Sequence, residues 1–571
     1  MLTACAGARP PLDDATLNKG DDQSSDVAIT VSEGTASGNY LAGRFAGAMR
    51  DTRRAARYYA LALRQDPEND IILDRAFLLE LAGGQVESAL GRAEEIARRD
   101  PTKRLARLTL GLKAAGARDW AGARVHLAAS ASGPFNTLAS RLVTAWTFEG
   151  EGRTDDALAE LGRIDHTAAF DLFRTYHAAL ILDHAGRDAA AEKAYHTLIN
   201  AGGGGTLRIV QAYGGFLERH GRSAEAGKLY ADYAAGAPDN PLIESAFNRV
   251  MAGKTAQPLI ASAADGIAEA LYGLASALAQ DRSVDLPIVY LQLTLYMRTD
   301  FDVAEMLLGD LFTTLERWRE AAAAYEKIDP ASPLRESAQI QIALNLDRTN
   351  QTDKGIALLE QISTRSPQPM RALVSLGDLL RSRERFVEAA NAYGHAIDLI
   401  TEPGKRYWSL YYARGVSLER AGQWEAAEKD LVQAGKLDPD QPLVLNYLGY
   451  SWIEKGQRLT EAVHMIERAV QLAPNDGYIV DSLGWAHYKL GQYERSAEYL
   501  ERAVSLRPED PTINEHLGDA YWRCGRTIEA RFQWRHSLAL GADKKDVPEL
   551  EKKIDFGLEG AGAPRGTVSE R

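Results

Sequence analysis

Cysteine is nearly absent: the 571 residues contain two, Cys5 and Cys524. Two thiols cannot build a disulfide framework, and their number alone assigns no compartment. Long apolar runs are missing too, and no stretch approaches the roughly 20 residues a membrane-spanning helix needs. There is no excess of positive charge, since 66 Lys+Arg stand against 79 Asp+Glu for a formal net charge of −13. That balance argues against nucleic acid as a partner, because phosphate recognition draws on a basic surface. The acidity is uneven, however. Residues 40–130 hold 16 Lys+Arg and 11 Asp+Glu. Solvated helix faces explain most such runs, and attraction to an anionic membrane surface is the alternative.

Catalytic signatures are absent as well. Neither H-E-x-x-H, C-x-x-C nor G-x-S-x-G occurs. The eleven histidines are scattered, with His184, His395, His464, His487 and His516 in different segments. The run Gly202–Gly205 lacks the Lys-Ser/Thr of a phosphate loop and reads as a turn. No residue is singled out as catalytic, cofactor-binding or metal-ligating, and no cofactor is expected.

A period of about 34 residues is present instead. Small residues recur at Gly377, Gly415, Gly449, Gly484 and Gly518, in steps of 38, 34, 35 and 34. A second small residue follows twelve places on, at Ala389, Ala427, Ser496 and Ala530. In the unit of Gly449 it comes thirteen on, at Ala462, so that turn holds one extra residue. A third follows seven later, at Ala396, Ala434, Ala469, Ala503 and Ser537. Helices cross closely only where side chains are small. The first two positions therefore mark the crossing of helices A and B within a unit. The third marks where B meets the next A. Glycines at 422, 456, 491 and 525 supply the A–B turn, and Pro439, Pro474 and Pro508 end helix B.

The frame extends backward through units starting near 302 and 336, and weaker ones near 36, 70, 104, 138, 172 and 207. About fourteen units are expected. The spacing predicts an N-terminal block over 39–240, degenerate repeats or a hinge over 241–300, and a C-terminal block over 301–545. A capping helix is predicted in "VPELEKKIDFGLE" (547–559), with the region 546–571 ending in a tail. This pattern resembles the tetratricopeptide repeat (TPR). The resemblance implies an all-α fold, a right-handed α-solenoid superhelix of helix-turn-helix repeats.

In such arrays helix A lines a concave groove. With each array glycine at position 8, positions 2, 5, 9, 12 and 13 face that groove. They place Tyr412, Tyr450, Trp485, Tyr488 and Trp522 there, among Glu454, Asp481, Lys489, Glu515, Asp519 and Arg523. Aromatic rings are favoured interface anchors, so a protein partner is expected to lay a helix or extended segment in this groove. The alternative is that individual rings pack between neighbouring A helices. A Lys/Asn carboxylate clamp is absent: position 5 holds Tyr412, Asn446, Asp481 and Glu515, and position 9 holds Val416, Tyr450, Trp485 and Asp519.

The blocks "NYLGY" (446–450), "DSLGW" (481–485) and "HLGDAYW" (516–522) resemble a narrower group. These are proteobacterial outer-membrane TPR lipoproteins that act as adaptors of a periplasmic carboxy-terminal processing protease. Leu2-Thr3-Ala4-Cys5 resembles a bacterial lipobox, although no charged or apolar signal region precedes it. The polar, Gly/Asp/Ser-rich stretch that follows, to residue 38, reads as a tether. Together these imply a non-catalytic adaptor in the periplasm, held to the membrane by an acylated Cys5. A cytoplasmic scaffold in regulation or polysaccharide assembly is the alternative. An array selecting substrates for an enzyme such as a glycosyltransferase would need a non-repeat domain.

Overall fold

The computed structural model describes residues 34–49, 51–200, 205–280 and 285–558. Cys5, the tether as far as residue 33, Gly202–Gly204 and the tail from residue 559 lie outside the described residues. Within them there are thirty α-helices and no strand. Taken in sequence they pair as helical hairpins, except for Pro241–Met251 and Val547–Phe556. The architecture is an α-solenoid.

Contacts divide the chain into two compact units, to Ser140 and from Arg141. The first holds three hairpins, beginning with Ala36–Ala48 and Thr52–Gln65 and closing with Arg104–Gly116 and Trp120–Ser130. The second begins within the helix Pro134–Gly150 and runs to the end of the described chain.

The hairpins close because one helix carries a hole where the other carries a knob. A Cβ added to Gly377 would meet the Tyr393 ring at 2.5 Å, one at Gly484 would meet Leu500 at 2.6 Å, and one at Gly518 would meet Trp534 at 2.5 Å. The same relation recurs between Gly214 and Tyr230 and between Gly309 and Tyr325. Each knob lies sixteen residues after its glycine, one unit-internal register repeated along the chain. The second and third small residues, among them Ala389, Ala396, Ala427, Ala434, Ala530 and Ser537, are fully buried. The rings also bring polar handles, and these are satisfied. Tyr325, Tyr393 and Trp534 donate to Asp310, Asp378 and Asp519, at 2.7, 2.7 and 2.8 Å. In each case the acceptor is the residue after the glycine.

The A–B turn uses a left-handed residue just past helix A. At Gly491 (φ 73°) the following Gln492 N–H reaches back to the His487 carbonyl at 2.9 Å. This bond satisfies one of the otherwise orphaned terminal carbonyls. Arg118, Glu316, Asn350 and Glu384 hold the same position with φ between 58° and 61°. At Glu384 the bond from Arg385 N–H to the Leu380 carbonyl is again 2.9 Å. The long turn after Gly456 takes its extra residue by placing Arg458 in the left-handed region too (φ 42°).

Two substitutions test this account in opposite directions. Gly377→Ala forces a methyl into the Tyr393 ring and is expected to destabilise by about 1–3 kcal/mol. Glu384→Gly relieves a left-handed side chain and is expected to stabilise by about 0.5 kcal/mol, after the entropy of the added glycine is deducted. Urea denaturation midpoints of both variants against the native chain read the difference.

Candidate partner groove

The groove-facing positions of helix A divide into two stretches with different fates. In the first, the groove is already occupied. Trp146, Phe173, Tyr176, Arg208 and Gly215 stand at positions 2, 5 and 9 of three successive units. They all face one segment, the helix Ala263–Leu278 and the residues leading into it. Gly266 lies so close to Trp146 that any side chain there would run into the indole, and a Cβ at Gly273 would touch Phe173 at 3.2 Å. Ala256 packs on Gly215.

A polar knot fixes the register of this inserted helix. Glu269, 1% exposed, accepts from Tyr176 Oη at 2.9 Å and from Arg208 Nε at 3.0 Å, and a second guanidinium bond from Nη2 makes the pair bidentate. Burial alone would raise the Glu269 carboxyl, but the Arg208 charge and the hydrogen bonds outweigh it and hold the carboxyl below its ordinary value. Burial pushes the His177 imidazole down to about 4, so it stays neutral and accepts the Trp146 indole N–H at 3.0 Å. The crossing segment is tied by Glu218, which accepts from Tyr230 at 2.7 Å, from Arg249 at 2.9 and 2.8 Å, and from the Ala256 N–H at 2.9 Å. Ser262 and Asp265 cap the helix reciprocally: Ser262 Oγ accepts from the Asp265 N–H at 3.2 Å, and Asp265 accepts from the Ala261 N–H at 3.1 Å. The sequence reads 241–300 as a hinge or as degenerate repeats, and the structure shows this self-docked helix within it. The available signals were that capping box and a sixteen-residue helix carrying only Asp265 and Glu269 as charges. A helix apolar on nearly every side is a buried one.

The second stretch comprises the A helices from Met370–Ser382 to Pro511–Arg523. Of the five rings assigned there from sequence, Trp485 and Tyr488 are buried in the stack and Trp522 is partly buried at its end. Trp485 is 9% exposed, parallel to Tyr488 at 4.7 Å and to His516 at 4.0 Å, with its N–H on Glu454 at 2.7 Å. Tyr488 is 5% exposed and meets Tyr493 edge-on at 5.5 Å. Trp522 leans on Trp534 at 5.5 Å, lies beneath Arg531, and is covered by the backbone at Gly557. Trp485 thus packs against the next A helix through His516, whereas Trp522 packs against its own hairpin partner and the terminal segment. Tyr412, edge-on to Tyr447 at 5.7 Å, and Tyr450 remain half-exposed. With Val416 and Leu443, partly exposed too, they supply the apolar part of the floor of this stretch, and the partly exposed Asn446 adds an amide to it.

The acidic edge is largely paired. Asp481 meets His516 at 2.9 Å, Glu454 meets Lys489 at 3.4 Å, and Glu515 and Asp519 both receive Lys553, at 2.7 and 2.9 Å. Burial lowers and the Asp481 charge raises the His516 imidazole, with the charge prevailing. Burial raises the Asp519 carboxyl against the pull of Lys553. Lys553 comes from the terminal helix Val547–Phe556, whose Leu550 is fully buried. This helix closes the end of the stack. His516 and Lys553 have no sequence signal of their own, because each acts on a residue 34 to 38 positions away. Cys524 has no disulfide partner, and burial pushes its thiol up. Among the described residues no cluster of His, Cys, Asp or Glu is arranged to hold a metal, and no helix is long and apolar enough to cross a membrane.

Removing Lys553 leaves two carboxylates facing each other in a buried site. Lys553→Ala is expected to destabilise by about 3 kcal/mol, and Asp519→Asn in the same chain to restore part of that loss. Thermal unfolding of the single and double variants provides the check.

Comparison with known proteins bears on the same stretch. Residues 340–399, 412–477 and 482–534 match the family model described as Tetratricopeptide repeat. A TPR repeat-containing protein of Pseudomonas aeruginosa is 28% identical over 202 residues, which are 35% of this chain and 33% of that protein. The match thus spans a third of the relative's length. Among solved structures, the APC/C hetero-tetramer Cut9-Hcn1 is 15% identical, covering 91% of this chain and 96% of that one at a TM-score of 0.35. A tetratricopeptide repeat protein from Parabacteroides merdae is 14% identical, covering 44% of this chain and 98% of that one at a TM-score of 0.36. Over residues 340–534 the chain carries tetratricopeptide repeats, of a kind that forms a scaffold for protein–protein interaction.

Proposed function

We propose that the protein is a non-catalytic adaptor that receives a helical segment of a partner protein in the groove floored by Tyr412, Val416, Leu443, Asn446 and Tyr450. One observation carries this reading: the chain lays a helix of its own, Ala263–Leu278, across the equivalent A-helix positions of earlier repeats. That precedent supports a helix as the occupant, and the later stretch leaves Tyr412, Val416, Leu443 and Tyr450 partly exposed where Trp146 and Tyr176 are buried in the earlier one. Helix-in-groove recognition of this kind works through apolar anchors spaced by one helical turn.

The finer reading rests on sequence. The lipobox-like Leu2-Thr3-Ala4-Cys5 supports acylation at Cys5 and attachment to the bacterial envelope, with the folded repeats in the periplasm. The blocks around Gly449, Gly484 and Gly518 support a periplasmic carboxy-terminal processing protease as the partner.

Capture from an envelope extract tests both parts. Tyr412→Glu with Tyr450→Glu is expected to abolish retention of a partner that the native chain holds, with the helical circular-dichroism signal unchanged. Equal retention by both chains sinks the groove assignment. Labelled palmitate is expected in the native chain and not in Cys5→Ala, and labelling of both or neither removes the anchor.

A further inference from the structure

The two ends of the array are finished differently. A solenoid exposes an apolar surface at each end unless a terminal element with a polar outer face covers it. The C-terminal end follows this rule in the main: Val547–Phe556 buries Leu550 and Lys553 and exposes Glu549, Glu551, Lys552 and Asp555, with Phe556 a single exposed ring at its end. The first described helix, Ala36–Ala48, buries Asn39, Gly43 and Ala46 against its hairpin partner, with Gly43 close under Tyr59. Its outer face does not become polar. Leu41 is 60% exposed, Phe45 70% and Met49 66%. At one helical turn apart these three form a single stripe, since positions i, i+4 and i+8 share a face. Arg44 borders the stripe and is exposed.

The hairpin is also strongly basic. Residues 36–65 hold six arginines, Arg44, Arg50, Arg53, Arg54, Arg57 and Arg64, against the single acid Asp51. Arg53, Arg54, Arg57 and Arg64 are exposed on the second helix. The whole chain is acidic at −13, so this concentration opposes the trend of the molecule. A protein partner or a second copy would find here a stripe only three side chains long, on a hairpin with six arginines and one acid. An anionic phospholipid surface matches both parts, because an apolar face enters the acyl boundary while arginines meet the phosphates.

We infer that the first hairpin docks on an anionic membrane surface, with Leu41, Phe45 and Met49 inserted and the flanking arginines at the headgroups. This contact does not depend on acylation at Cys5, and it would hold the base of the array flat on the bilayer.

Co-sedimentation of the full, unacylated chain with vesicles tests the inference. Binding is expected to equimolar phosphatidylglycerol and phosphatidylcholine, and to be weak for phosphatidylcholine alone. Leu41→Asp with Phe45→Asp is expected to lower the bound fraction about tenfold, whereas Ile528→Asp with Phe532→Asp, at another exposed apolar pair, is expected to bind like the native chain. In a Phe45→Trp variant the indole emission is expected to be quenched by brominated acyl chains in the mixed vesicles. Absence of binding to the mixed vesicles, equal binding by the Leu41/Phe45 variant, or an unquenched indole overturns the inference. A dimer in sedimentation velocity that the same two substitutions abolish also overturns it, by assigning the stripe to a second copy.

Discussion

The repeats depend on a close crossing between two helices, where a small residue on one, glycine at positions such as 214, 309, 377, 484 and 518, admits a ring or a branched side chain from the other. The geometry allows little else, since a Cβ at Gly377, Gly484 or Gly518 would overlap the knob opposite. Packing this tight gains dispersion contacts on every side, and it also sets the register of helix B on helix A. At Tyr325, Tyr393 and Trp534 the polar atom comes with the knob and the carboxylate next to the glycine supplies the acceptor, while Tyr230 donates to Glu218, four residues past its glycine. The packing solution and the polar solution are thus built from adjacent residues.

Repeating that hairpin sets A helices side by side, and within the second unit the side chains between them are used in three ways. Along the earlier repeats they meet the chain's own helix, locked by Arg208 on Glu269. A buried ion pair is weak evidence of net stability, but removing one partner strands a charge, which costs about 3–5 kcal/mol. It therefore discriminates one docked register from its neighbours. Along the last repeats Trp485 stacks on Tyr488 and His516, and Lys553 then closes the end. Between these stretches Tyr412, Tyr450 and their neighbours stay partly exposed, and it is there that we propose a partner binds.

The repeat was legible in the sequence because it is written in residue size at fixed spacing. Glycine and alanine at the crossings and the glycine turns appear in composition and distance alone. The turns at Arg118, Glu316, Asn350 and Glu384 were not legible, because backbone hydrogen bonds impose a left-handed residue there whatever its side chain. The groove was legible only in part. Position along helix A names candidate groove side chains, but it cannot tell whether such a ring meets a partner, the next A helix, or a distant part of the same chain.

By itself the sequence determined that this protein is an array of paired helices and which residues lie at each crossing, because those contacts fall within one unit and are set by local spacing. Tertiary structure alone decided that Ala263–Leu278 occupies the groove, that Trp485 and Tyr488 are sealed in the stack, and that Lys553 ends it. Those outcomes join residues from about 30 to 120 positions apart. Such pairings follow from how the stacked units curve in space, and no local pattern encodes that curvature.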